Sequence, residues 1–87
     1  MVNTAFGRAA VAEEVTIKQR ADGKHFATLV QLLENDKGEW LVRFAYTTDG
    51  VARRGPVTLR GADLERLRVA LKKTPRLAEA LGITAVA

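Results

Sequence analysis

Two Asp-Gly dipeptides, Asp22-Gly23 and Asp49-Gly50, each set between β-type runs, constrain the fold of this chain more than any other feature. A two-residue type I′ turn needs positive φ at both central positions, and Asp-Gly supplies them at little steric cost. Each dipeptide therefore predicts a hairpin and fixes its register. Ala21 is expected opposite Lys24, which places Ile17 opposite Thr28 and Val15 opposite Val30. Thr48 is expected opposite Val51, which sets Val42 against Val57 and Trp40 against Leu59. In that register Phe44 covers the backbone of Gly55, as an aromatic beside a strand glycine can.

The rest of the chain follows from period. Val15-Thr16-Ile17-Lys18 alternates with period two and reads as a first strand ending near Arg20. Further strands are expected over 25–33, 40–47 and 51–59, the last interrupted at Gly55-Pro56, where the missing N–H marks an edge or a bulge. Asn35-Asp36-Lys37-Gly38 is a loop. A three-residue connection there puts Leu32 opposite Val42 and Val30 opposite Phe44, whereas a four-residue one would mix the two faces. From Gly61 the spacing becomes helical, with Leu64, Leu67, Ala70 and Leu71 repeating and Asp63 in the first turn. Thr74-Pro75 reads as the N-cap and first position of a second short helix ending at Gly82. The expected fold class is α+β, a four-stranded antiparallel β meander packed on a C-terminal α-helix (ββββα). The single domain spans 13–82, after a flexible N-terminal segment over 1–12 and before an apolar tail over 83–87.

Composition removes several functions. There is no cysteine, hence no disulfide framework and no thiolate zinc site, and a reducing cytoplasmic setting is expected. No apolar run approaches a membrane span. The chain has no serine, no carboxylate pair on facing strands, and no glycine-rich phosphate loop before a helix. His25, the sole histidine, sits beside a turn across from Arg20 and reads as a surface imidazole. Neither catalysis nor a metal nor a cofactor is expected.

The register divides the strand residues into two faces. Val15, Ile17, Phe26, Val30, Leu32, Trp40, Val42, Phe44, Val57 and Leu59 share the face on which the helix is expected to pack. The other face carries Lys18, Arg20, Arg43, Arg54 and Arg60 around an aliphatic patch of Leu29, Leu33 and Leu41. The net charge of +4 is modest, but most acids fall in turns or the helix, which leaves the sheet cationic. Cations beside apolar groups are what a single-stranded nucleic acid requires, since phosphates need neutralising and bases need a surface to pack on. Arg20, Arg43 and Arg60 are accordingly expected as phosphate contacts, and Tyr46, at a strand end opposite Arg53, as a stacking or cation–π group. The competing reading is a homodimeric protein-interaction module whose interface is Leu29, Leu33 and Leu41.

Several stretches carry a resemblance. They are Val15-Thr16-Ile17-Lys18, Gly23-Lys24, Asp36-Lys37-Gly38-Glu39-Trp40, and Arg53-Arg54-Gly55-Pro56-Val57-Thr58-Leu59 running into Asp63-Leu64-Glu65-Arg66-Leu67. In this layout the chain resembles the positive cofactor four family of single-stranded DNA-binding transcription cofactors. The resemblance implies a curved four-stranded sheet plus helix, a dimer, and single strands lying along the sheet. It adds Lys18, Arg53 and Arg54 as candidate phosphate contacts. Residues 41–52 form a longer hairpin here than in that family.

Overall fold

The computed structural model describes residues 1–53 and 55–83. Five strands run in chain order: β1 (Val2–Thr4), β2 (Gly7–Ala21), β3 (Lys24–Asn35), β4 (Trp40–Thr48) and β5 (Val51–Arg53). They form one antiparallel sheet in the order β1-β2-β3-β4-β5, curled as a half-barrel. Two helices follow, α1 (Gly61–Leu71) and α2 (Pro75–Ala80). The α+β class and the antiparallel meander stand, with five strands in place of four. No helix among the described residues is long and apolar enough to cross a membrane.

Both Asp-Gly turns have left-handed backbone, with φ of 50° and 74° at Asp22 and Gly23, and 53° and 78° at Asp49 and Gly50. Ala21 pairs with Lys24, Ile17 with Thr28, Val15 with Val30, and Thr48 with Val51, as turn chemistry demands. The central hairpin sets Leu32 against Val42 and Val30 against Phe44, the register of a three-residue connection. Asn35 fixes that loop. Its Oδ1 accepts from the Lys37 and Glu39 N–H groups, at 3.0 and 2.8 Å, while its Nδ2 donates to the Phe6 carbonyl and to Glu39.

Three expectations about extent are corrected. The first strand begins at Gly7, and residues 2–4 form a further strand, so most of the N-terminal stretch expected outside the domain belongs to the sheet. Its turn is closed by Thr4, whose hydroxyl donates to the Gly7 carbonyl and accepts from the Phe6 N–H. At the other end, β5 stops at Arg53. The anticipated pairs of Val42 with Val57 and Trp40 with Leu59 do not form, because Gly55 at φ 142° and the donorless Pro56 take the chain out of the ladder. Gly55 does lie against an aromatic, but it is Tyr46: a Cβ on Gly55 would meet that ring at 3.1 Å. Of the apolar tail, residues 84–87 lie outside the described residues.

The helices cover the expected face. Leu67, Leu71, Leu77 and Ala78 pack with Val15, Ile17, Val30 and Leu32 into one buried cluster. Leu64 does not join it and is 52% exposed; the inward position of that turn is held by Asp63, which is fully buried. Phe44 and Trp40 are likewise expected in the core, yet each is 48% exposed, and Phe26 is only half-buried. Two short helices cannot span four strands, so the aromatics of the β4 margin stay open. Trp40 instead takes the Arg76 guanidinium over its ring, at 4.3 Å from the centroid.

Candidate functional site

The cations gather at the β2–β3 hairpin end, where the helices leave the sheet uncovered. Two adjoining depressions occur there. The larger, about 610 Å³, has an apolar floor of Phe26, Tyr46, Pro56 and Val57, with the polar Gln19, Thr28, Thr48 and Thr58 beside it, and a rim of Arg20, Lys24, His25 and Arg60; Asp22 is its one carboxylate. The smaller, about 430 Å³, is lined by Lys18, Gln19, Arg20, His25, Arg60 and Arg66, with no acidic residue. Arg20, His25 and Arg60 border both, so the two form one continuous cationic surface around an apolar hollow.

A buried polar chain positions the guanidinium groups that come from the helical side. The Thr28 hydroxyl donates to Gln19 Oε1 at 2.5 Å, and Gln19 Nε2 donates to the Thr58 carbonyl and to Asp63 Oδ2, at 3.0 and 2.9 Å. Asp63 is the third residue of α1 and accepts the Arg60 N–H at 3.0 Å, closing the helix start. It also pairs with the guanidinium groups of Arg60 and Arg66. These donors, led by the Arg60 backbone N–H and the Arg66 side chain, hold the Asp63 carboxyl well below the usual carboxylate range against the opposing cost of burial. Arg60 and Arg66 remain 64% and 50% exposed at their side chains, so each keeps donors free for a ligand.

The residues expected to make one basic sheet face are therefore only partly united. Lys18, Arg20 and Arg60 meet at the hairpin end, Arg60 from the start of α1 rather than from a strand. Tyr46 reaches the same place as part of the apolar floor, half-buried against Gly55, and makes no cation–π contact with Arg53. Arg53 lies opposite Tyr46 as expected, but its Nε donates to the Thr48 hydroxyl at 3.0 Å, and it lines a different hollow. Arg43 borders that second hollow too. Its Nε donates to Gln31 Oε1 at 2.8 Å, and Gln31 Nε2 donates to Glu14 at 2.6 Å. The far face is thus not purely cationic: β2 extends back to Gly7, which puts Glu14 in mid-strand, in line with Arg43. Arg54 lies outside the described residues.

The aliphatic patch is likewise altered. Leu33 is 1% exposed within the single chain, while Leu29 and Leu41 are half-buried, because the curl of the half-barrel closes on that face. A partner cannot reach Leu33. Sequence reasoning missed Lys24, Arg66, Phe26, Pro56 and Val57 as neighbours of the cationic surface. The hairpin register already puts Lys24 and Phe26 beside Arg20; the other three depend on how the chain returns from β5, which has no local signal. Comparison with protein-family models, with curated proteins and with solved structures gives no match.

Proposed function

We propose that the chain is a small non-enzymatic protein that binds single-stranded DNA or RNA with little sequence preference. The observation that carries this reading is the apolar hollow of Phe26, Tyr46, Pro56 and Val57 inside a rim of Arg20, Lys24, His25 and Arg60. A base packs on the aromatic floor, an interaction worth roughly 1–3 kcal/mol per stacked base, and its flanking phosphates meet the rim. Lys18 and Arg66 extend the path for the backbone along the adjoining depression. Among the polar side chains that line the hollow, Gln19 and Thr28 bond to each other and Thr48 accepts from Arg53 Nε, so base identity is expected to matter little. The resemblance to the positive cofactor four family points the same way.

Titration of a fluorescent oligonucleotide at several salt concentrations tests the reading. Log affinity is expected to fall with log salt at about −0.7 per phosphate neutralised. Replacing Arg20 and Lys24 together by alanine is expected to reduce that slope by about 0.7 for each phosphate that the variant no longer neutralises. Arg43→Ala is expected to leave it unchanged, since Arg43 lines a separate hollow away from this surface. Absence of binding at low salt, or a slope indifferent to the Arg20 and Lys24 changes, refutes the proposal.

A further inference from the structure

We propose that two copies of this chain join edge to edge through β2, with Thr16 of each on a common two-fold axis. This pairing rests on the open sheet edge and its charges, not on the proposed nucleic-acid binding, in which Lys18 also takes part. β1 pairs with β2 only as far as Ala9. At the opposite end the chain returns over the strand, where Arg60 Nη2 donates to the Arg20 carbonyl at 3.4 Å. Between these points, among the described residues, no strand pairs with the outer edge of β2. An open edge of this length is a template for another strand.

The register says which backbone groups are free. In a two-residue hairpin the residues flanking the turn, here Ala21 and Lys24, exchange hydrogen bonds, and bonded pairs then alternate along the ladder. Ile17 and Val15 therefore bond to β3, while Glu14, Thr16 and Lys18 turn their N–H and C=O groups outward. The hydrogen bond from Arg60 to the Arg20 carbonyl agrees with that parity.

Charge selects the partner and the register. With two copies antiparallel about Thr16, Glu14 of each lies directly opposite Lys18 of the other, and Val15 lies opposite Ile17. Unlike charges directly opposed across an antiparallel pair are favourable and like charges are not. Centring the axis on Glu14 or on Lys18 would oppose identical charges. Centring it on Val15 would leave both charges opposite neutral residues, and centring it on Ile17 would require the Arg20 carbonyl that Arg60 already occupies. The segment is thus complementary to its own antiparallel copy. The same arrangement brings together the α1 flanks that overlook this edge. Arg66 on that flank shares a depression with Lys18, and beside it Val69, 51% exposed, lines a shallow hollow with Ala70, bordered by Glu65, Arg66 and Lys73. A second α1 covers that hollow.

Molar mass by light scattering or sedimentation equilibrium decides the matter. At protein concentrations on the order of 100 µM the mass is expected to be twice the 9.5 kDa of the chain. Glu14→Lys and Lys18→Glu each turn two opposed pairs into like-charge pairs and are expected to weaken association at least tenfold. The double exchange, Glu14→Lys with Lys18→Glu, is expected to restore the dimer. Thr16→Pro removes a donor that has no partner within the single chain, so it is expected to abolish the dimer and keep the fold. A single-chain mass at that concentration overturns the proposal. So does a dimer indifferent to all these changes, or one that the charge exchange fails to restore.

Discussion

At the scale of single residues, Asp63 does the most with the least. It closes the start of α1, anchors Gln19, and draws Arg60 and Arg66 to the basic end of the molecule. Its carboxyl is held below the ordinary value of 3.8, chiefly by the Arg60 backbone N–H and then by Arg66. A depressed carboxylate stabilises the folded state at any pH above that ordinary value. The contribution is lost as pH falls below 3.8 towards the folded-state value. Asp63→Asn keeps the shape but removes the charge and turns an N–H group towards other donors. The variant is expected to melt at lower temperature at neutral pH, and the difference from the parent is expected to shrink as pH is lowered through the acid range. Thermal melts by circular dichroism at a series of pH values check this; a gap that does not narrow contradicts the assignment. Asp63 also shows why one position escapes a reading of the sequence. Leu64 looks like part of the apolar stripe and Asp63 does not, but a carboxylate supplied with four donors is as much at home inside as a leucine.

Elements are legible where chemistry is local. Asp22-Gly23 and Asp49-Gly50 specify two hairpins without reference to the rest of the chain, and the phase of the third follows because a shift of one residue would expose Val30 and Leu32. β1 is not legible: its turn, Thr4-Ala5-Phe6-Gly7, depends on a threonine hydroxyl rather than a signature dipeptide, and the alanine-rich start of β2 has little strand preference of its own. The strand expected over 51–59 is too long because Gly55 reads as an interruption in sequence, whereas in the fold it ends the pairing. α2 is the sharpest case of an element that tertiary structure makes. Six residues cannot hold a helix in isolation. Thr74 occupies the expected N-cap, but its hydroxyl has no partner; the cap comes from β2, where Glu13 Oε1 accepts the Leu77 N–H at 2.7 Å. Leu77 itself is wholly buried among Val15, Ile17 and Leu32. Leu77→Ala is therefore expected to cost about 2–5 kcal/mol. Glu13→Ala is expected to cost about 1.5–3 kcal/mol, the usual net worth of a hydrogen bond to a charged group. Urea denaturation followed by tryptophan fluorescence reads both through Trp40, which stacks with Arg76 of α2. Equal and negligible effects would mean that α2 is not docked as described.

For the whole molecule, the division into two faces holds for the helices and is incomplete about what they leave bare. Hairpin register decides which residues share a side of the sheet, but not where the chain returning from β5 brings Arg60, nor how far the half-barrel curls over Leu33. Those depend on contacts between distant segments, and so the cationic surface forms at one end of the sheet instead of across one face. The same register leaves a measurable imprint on β2. In dilute solution the amides of Val15 and Ile17, bonded to β3 beneath the helices, are expected to exchange with solvent slowly, while those of Glu14, Thr16 and Lys18 on the open edge exchange fast. Pairing of a second copy about Thr16 bonds the outward amides as well. Raising the concentration is then expected to slow Glu14, Thr16 and Lys18 selectively and to leave the exposed amides of β5 fast. Residue-resolved hydrogen exchange by NMR at two concentrations separates the two causes. Alternation at low concentration tests the hairpin parity by itself, because it requires no partner. Its disappearance at high concentration tests the edge, because nothing among the described residues of one chain bonds those three N–H groups.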